Sequence, residues 1–112
     1  MADPQRKLVF QLLEQVRTRK SYSNLALNHA LRQPGFSGNP GFVSALFYGV
    51  LERQITLDAL LAPYLKGKKI DPPVRTILQM GMYQILFLDS VPDAAAVNES
   101  VQLCVPAKVF SA

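Results

Sequence analysis

The sequence predicts an all-α domain of about six helices, and three observations carry that prediction. Apolar residues recur at i, i+3 and i+4 in one segment after another. An Asp or Asn followed by Pro opens three of those segments, at Asp3-Pro4, Asn39-Pro40 and Asp71-Pro72, which is the signature of a cap followed by the first helical position. No run of alternating apolar and polar residues lies between hairpin turns, so a sheet is not expected.

The first helix is expected from about Pro4 to Lys20, with Leu8, Val9, Leu12, Leu13 and Val16 at helical spacing. Ser21 or Ser23 can cap a second helix carrying Ala26, Leu27, Ala30 and Leu31, which Pro34-Gly35 ends. Residues 33–41 then form a loop. After Asn39-Pro40, the stripe Phe42, Val43, Leu46, Phe47, Val50 and Leu51 predicts a helix buried along one side. Gly49 inside it costs about 1 kcal/mol relative to Ala, so close approach of a neighbouring helix is its expected use. Thr56 can start a fourth helix through Leu57, Leu60, Leu61, Tyr64 and Leu65, kinked or shortened by Pro63. Lys66-Gly67-Lys68-Lys69 reads as a basic turn. Asp71-Pro72-Pro73 then opens the most apolar helix, with Val74, Ile77, Leu78, Gly81, Met82, Ile85 and Leu86. Pro92-Asp93 begins a last segment that places Val97, Val101 and Cys104 on one side, and Pro106 interrupts it. Val109 and Phe110 look like the start of a further apolar element. The expectation is therefore a single domain over residues 1–112 that is a fragment of a longer protein.

Composition bounds the function. The 112 residues are 49% hydrophobic and 18% charged, enough for a real core. Twelve Lys and Arg against eight Asp and Glu give a net charge of +4, which favours polyanionic partners. One cysteine, Cys104, and one histidine, His29, leave no material for an intrachain disulfide or a Cys/His zinc site. The N-terminus has no apolar signal-peptide region, and residues 77–88, interrupted by Gln79 and Gln84, fall short of the ~18 apolar residues of a membrane span. A cytoplasmic protein without a membrane partner is expected.

The chemistry of catalysis is missing from the sequence. A nucleophile needs a base and an orienting group. Cys104 reads as a small core residue and His29 as a surface or capping residue. No phosphate-binding glycine loop occurs. Asp3, Asp71 and Asp93 read as helix caps, Glu14, Glu52 and Asp58 as surface groups, and Glu99 as a structural hydrogen-bonding residue. No catalytic residue, metal ligand or cofactor site is assigned to this chain.

The candidate site is a basic surface. At about 100° per residue, Arg6, Arg17 and Lys20 fall within an arc of about 60° on the first helix, beside its apolar face. Arg19 stands near the end of the helix, and Lys7 near its start is a further candidate RNA-binding residue. Lys66, Lys68 and Lys69 form a second basic cluster, with Arg75 one turn into the next helix. Such groups neutralise backbone phosphates and release counterions, and they equally well make an ordinary solvated face. No aromatic-rich motif for stacking single-stranded bases lies beside any basic group.

Leu46-Phe47-Tyr48-Gly49-Val50-Leu51, then Leu57-Asp58-Ala59-Leu60-Leu61, Met82-Tyr83-Gln84-Ile85-Leu86-Phe87-Leu88, and Pro92 with Ala95-Ala96-Val97-Asn98-Glu99-Ser100-Val101 follow a known order of segments. Across about residues 5–104 the chain resembles the N-terminal domain of the Sun/Fmu family. These are bacterial methyltransferases that modify cytosine C5 in small-subunit (16S) ribosomal RNA. That domain is similar to the NusB antitermination factor, and the resemblance implies a NusB-like orthogonal helical bundle that binds RNA. It also implies a C-terminal domain holding S-adenosylmethionine and two catalytic cysteines, neither of which lies in this chain. The family's next helix, opened by a glycine-phenylalanine-valine-asparagine motif, is missing after Phe110-Ser111-Ala112. Apolar surface left open there would favour self-association. The family also places an arginine directly after tyrosine-glycine-valine-leucine, where this sequence has Glu52, with Arg53 one position later.

Three readings stay open from sequence. The chain is a substrate-recognition module holding ribosomal RNA for a C-terminal methyltransferase domain, a stand-alone transcription antitermination factor, or a structural domain that docks on the methyltransferase domain.

Overall fold

A computed structural model describes residues 3–20 and 22–104. Six helices follow in chain order: α1 Pro4–Arg19, α2 Ser23–Leu31, α3 Pro40–Glu52, α4 Gln54–Leu65, α5 Pro72–Phe87 and α6 Asp93–Cys104. No strand occurs among the described residues, so the all-α expectation holds. The proposed Ser21 cap, the interruption at Pro106 and the Val109-Phe110 start lie outside the described residues.

The predicted starts of α1 and α3 form for the expected reason. Asp3 accepts a hydrogen bond from the Gln5 backbone N–H at 3.1 Å, and Asn39 accepts from the Gly41 and Phe42 N–H groups at 2.8 and 3.3 Å. The other caps differ. Asp71 occupies the cap position of α5 without a side-chain cap bond, and Asp93 is already inside the first turn of α6. Ser23 is the first residue of α2, whose cap position is taken by Tyr22 with no side-chain bond.

α4 starts at Gln54, two residues before Thr56, and runs through Pro63 to Leu65. Pro63 sits in the last turn, where its missing N–H removes a single ladder bond and the helix is about to end. The chain leaves α4 through Lys66 in the left-handed region, φ 48°, as it leaves α1 through Lys20, φ 52°.

α3 and α5 form the middle of the bundle. α5 packs against α1, α3, α4 and α6, while α1 also packs against α2 and α3. Phe47, Leu46, Leu57, Ile77 and Met80 are buried at their centre. The approach predicted at Gly49 is observed: a Cβ there would collide with the Tyr83 ring of α5. Gly81 of α5 gives the same close contact to α6, since a Cβ would lie 2.7 Å from Ser100 Oγ.

The last two helices correct the sequence reading. On α5 the buried residues include Thr76, Gln79 and Gln84, whereas Ile85, Leu86 and Phe87 are exposed. On α6 the buried side is Ala96, Leu103 and Cys104, and Val97 and Val101 face outward. The reason is Gly81. It lets Ser100 lie against α5, and Val101, about 100° further round α6, then faces outward together with Val97 one turn before it.

Candidate nucleic-acid interface

α1 carries four of the predicted basic residues and Lys20 caps its end, and the structure sorts the five by what their charges meet. Arg6 turns inward. Its Nε donates to Gln84 Oε1 at 2.7 Å, its Nη1 donates to Asp3 Oδ2 at 2.7 Å, and its guanidinium lies 5.0 Å from the centroid of the Phe42 ring. With 12% of its side chain exposed, Arg6 is a largely covered clamp between α1, α3 and α5.

Arg17 is exposed but engaged, donating from Nε and Nη2 to the two carboxylate oxygens of Glu14. The same Glu14 carboxylate accepts from Thr76 Oγ1 at 2.8 Å, so this pair ties α1 to α5. Hydrogen bonding to Glu14 raises the Arg17 pKa further, and its charge is fixed at any accessible pH.

Lys7, Arg19 and Lys20 are different. All three are exposed, and none enters an ion pair among the described residues. The expected Arg6, Arg17 and Lys20 stripe is therefore not assembled as a free surface. The unneutralised cations on α1 and its cap are Lys7 near the start and Arg19 and Lys20 at the end. Lys20 lies about 20 Å along the helix from Lys7, at about 1.5 Å per residue.

The second basic cluster divides in the same way. Lys66, Lys68 and Lys69 are exposed and enter no ion pair among the described residues. Arg75 faces Asp58, with Nη1 3.5 Å from Oδ1, and Asp58 also accepts from Gln79 Nε2 at 2.8 Å.

Between the free ends of α1 runs a furrow floored by α1 and α2. One part of it, about 390 Å³, is lined by Lys7, Gln11, Gln33 and Phe36. The adjoining part, about 530 Å³, shares Leu8, Gln11, Ala30 and Gln33 and continues past Gln15 and His29 to Tyr22 and Leu25. No carboxylate lines either part. Tyr22 is 79% exposed, two residues from Lys20. Tyr64, also 79% exposed, stands two residues before Lys66. Each basic cluster thus has a single exposed aromatic two residues away, in Lys20-Ser21-Tyr22 and Tyr64-Leu65-Lys66, and neither makes an aromatic-rich motif.

The other sequence-noted groups serve the fold. Glu99 Oε1 accepts from the Asp3 backbone N–H at 2.6 Å, joining α6 to the start of α1. Cys104 is buried, and burial pushes its thiol pKa up, away from the reactive thiolate. His29 is exposed on α2, its Nε2 3.1 Å from Gln33 Nε2. Arg53, the displaced arginine, links α3 to α4 and lies 4.4 Å from the Phe87 ring centroid, with Phe87 stacked in turn on Tyr83. Among the described residues no helix is long and apolar enough to cross a membrane.

The chain is similar to proteins of two kinds. It is 41% identical over 102 residues to a probable ribosomal RNA small subunit methyltransferase B of Synechocystis, a match covering 88% of this chain and 23% of that protein. A protein of the same name from Bacillus subtilis is 33% identical over 100 residues, covering 88% of this chain and 22% of its own length. A transcription antitermination protein NusB of Lacticaseibacillus casei is 38% identical over 68 residues, covering 57% of this chain and 50% of that protein. The chain thus spans less than a quarter of the methyltransferases it matches. The family model for NusB matches residues 3–109, a span that takes in all six helices of the described residues, and the protein belongs to the NusB family.

Proposed function

We propose that this chain is the RNA-binding, substrate-recognition domain of an S-adenosylmethionine-dependent small-subunit ribosomal RNA cytosine-C5 methyltransferase. The observation that carries the reading is the set of cations on α1 with no carboxylate partner among the described residues, Lys7, Arg19 and Lys20. Exposed and unneutralised charges on one helix are available to phosphates, where each contact releases counterions. The methyltransferases above are matched over 88% of this chain, against 57–70% for the antitermination proteins, which favours the methyltransferase setting. In this reading S-adenosylmethionine and the reacting cysteines belong to a C-terminal domain, and the present helices hold ribosomal RNA by its backbone in the cytoplasm.

The test is anisotropy of small-subunit ribosomal RNA hairpins with the chain across a salt series. Affinity should fall steeply with salt, and a Lys7→Glu/Arg19→Glu/Lys20→Glu variant should lose most of it and flatten the slope. Salt-insensitive binding unaffected by the variant would favour the structural docking role instead. Support of antitermination by the chain alone in a transcription assay would favour the stand-alone factor.

A further inference from the structure

The furrow between α1 and α2 holds more chemistry than backbone binding requires. Its floor is apolar, from Leu8, Leu25 and Phe36. Its walls carry three side-chain amides, and those of Gln11 and Gln15 make no hydrogen bond among the described residues. Gln33 spends its Nε2 on the His29 carbonyl at 3.1 Å, which leaves its Oε1 as an open acceptor. The two parts, about 390 and 530 Å³, are each within the size range of small-molecule pockets.

We propose that this furrow binds the bases of single-stranded RNA, with Tyr22 as a stacking platform and Gln11, Gln15 and Gln33 hydrogen-bonding base edges. The inference rests on the RNA-binding reading above and adds where the bases lie.

Four features select this ligand. A glutamine amide offers a donor and an acceptor side by side, which is what a base edge presents in complement. Sequence-specific RNA recognition targets unpaired bases splayed onto aromatic rings, and Tyr22 stands at the furrow's end with its ring exposed. Lys7 lines one end, and Lys20 stands two residues before Tyr22, which lines the other, so a strand whose bases enter the furrow has a cation near each end for its phosphates. The absence of carboxylates from the lining removes the repulsion that such a strand would meet beside the Asp3, Glu14 and Asp58 pairs. Duplex RNA does not fit this chemistry, because its base edges are turned into narrow or shallow grooves.

The experiment compares a short unstructured oligoribonucleotide with a fully paired RNA hairpin, each titrated by anisotropy into the full chain and into three variants. Tyr22→Ala should weaken the unstructured RNA about tenfold, the scale of one lost base stack, and leave the hairpin and the salt slope unchanged. Gln11→Leu/Gln15→Leu, which keeps the furrow's shape and removes its polar edges, should flatten the preference among oligonucleotides of different base composition. Lys7→Gln/Lys20→Gln should lower both affinities and the salt slope. Lys7, Gln11, Lys20 and Tyr22 are exposed and Gln15 is half-buried, and thermal melts check that each variant folds as the parent does. Wild-type affinity for the unstructured RNA in both the Tyr22 and the glutamine variants, with loss in the lysine variant, would overturn the furrow and leave a backbone-binding surface standing. Failure of the parent chain to bind either RNA at low salt would overturn the RNA-binding reading itself.

Discussion

Arg6 Nε donates to Gln84 Oε1 across 2.7 Å, joining residues 78 positions apart at the point where α1 meets α5. Gln84 is 1% exposed, and its amide nitrogen is already used by the Met80 carbonyl at 3.0 Å, so Arg6 is its acceptor's partner in the core. Asp3 completes the arrangement by pairing with Arg6 while capping α1.

Replacing Arg6 with Ala should therefore cost about 2 kcal/mol of stability, the scale of a charged hydrogen bond lost together with a buried acceptor left unpaired. Arg6→Glu should cost more, because it sets a second carboxylate against Asp3. Urea denaturation followed by circular dichroism reads both. A change below about 0.5 kcal/mol for Arg6→Ala would show that water replaces the guanidinium without loss.

Gly49 is held open for Tyr83. Gly49→Ala gains about 1 kcal/mol of helix propensity and loses more, because its methyl meets the aromatic ring across the α3–α5 contact, an overpacking penalty of about 1–3 kcal/mol. The expected net effect is destabilisation, and Tyr83→Leu in the same chain should recover part of it as a coupling energy in a double-mutant cycle. Independent, additive effects would mean that the ring moves aside at no cost.

The helix boundaries were legible because caps and prolines are local signals. Asp3-Pro4 and Asn39-Pro40 start α1 and α3 as their sequence implies, and Gly49 marks a real close approach. The inner face of α5 was not legible. Gln79 and Gln84 read as interruptions of an apolar stretch, yet they are buried, because their partners Asp58 and Arg6 come from distant elements. Ile85 and Leu86 read as core and are exposed, since periodicity cannot tell which of two adjoining stripes a neighbour covers. The candidate site shows the same division. Charge was readable, but whether a cation was free depended on carboxylates such as Asp3 and Glu14, whose positions only the folded helices define. The furrow needed two helices side by side, and no single segment carries its pattern.

Lys20 and Lys66 occupy left-handed positions that glycine fills at lower cost, with φ 52° and 48°. Lys20→Gly should relieve roughly 0.5–1 kcal/mol of backbone strain at the end of α1, less the extra chain entropy of the unfolded glycine. The same change removes an exposed cation from the end of α1, two residues before Tyr22, and should lower the magnitude of the RNA salt slope by about 1. Stability and RNA affinity therefore move in opposite directions. A lysine kept there for the fold alone would give loss of stability instead.

Cys104 offers a test through pH. Burial raises its thiol pKa above the ordinary value of 9.0, so the folded chain holds this proton more tightly than the unfolded chain does. Stability from the neutral thiol is fully present below the unfolded thiol's pKa and is lost as pH rises through that value toward the folded one. The informative quantity is the difference between the parent chain and Cys104→Ala, which isolates the thiol. Between about pH 8 and pH 10 the parent's urea midpoint should fall more steeply than the variant's. A thiol-specific reagent should label the native chain slowly and the urea-unfolded chain at the rate of a free thiol. Parallel pH curves together with rapid native labelling would show that the end of α6 opens readily enough for Cys104 to ionise as it does in water.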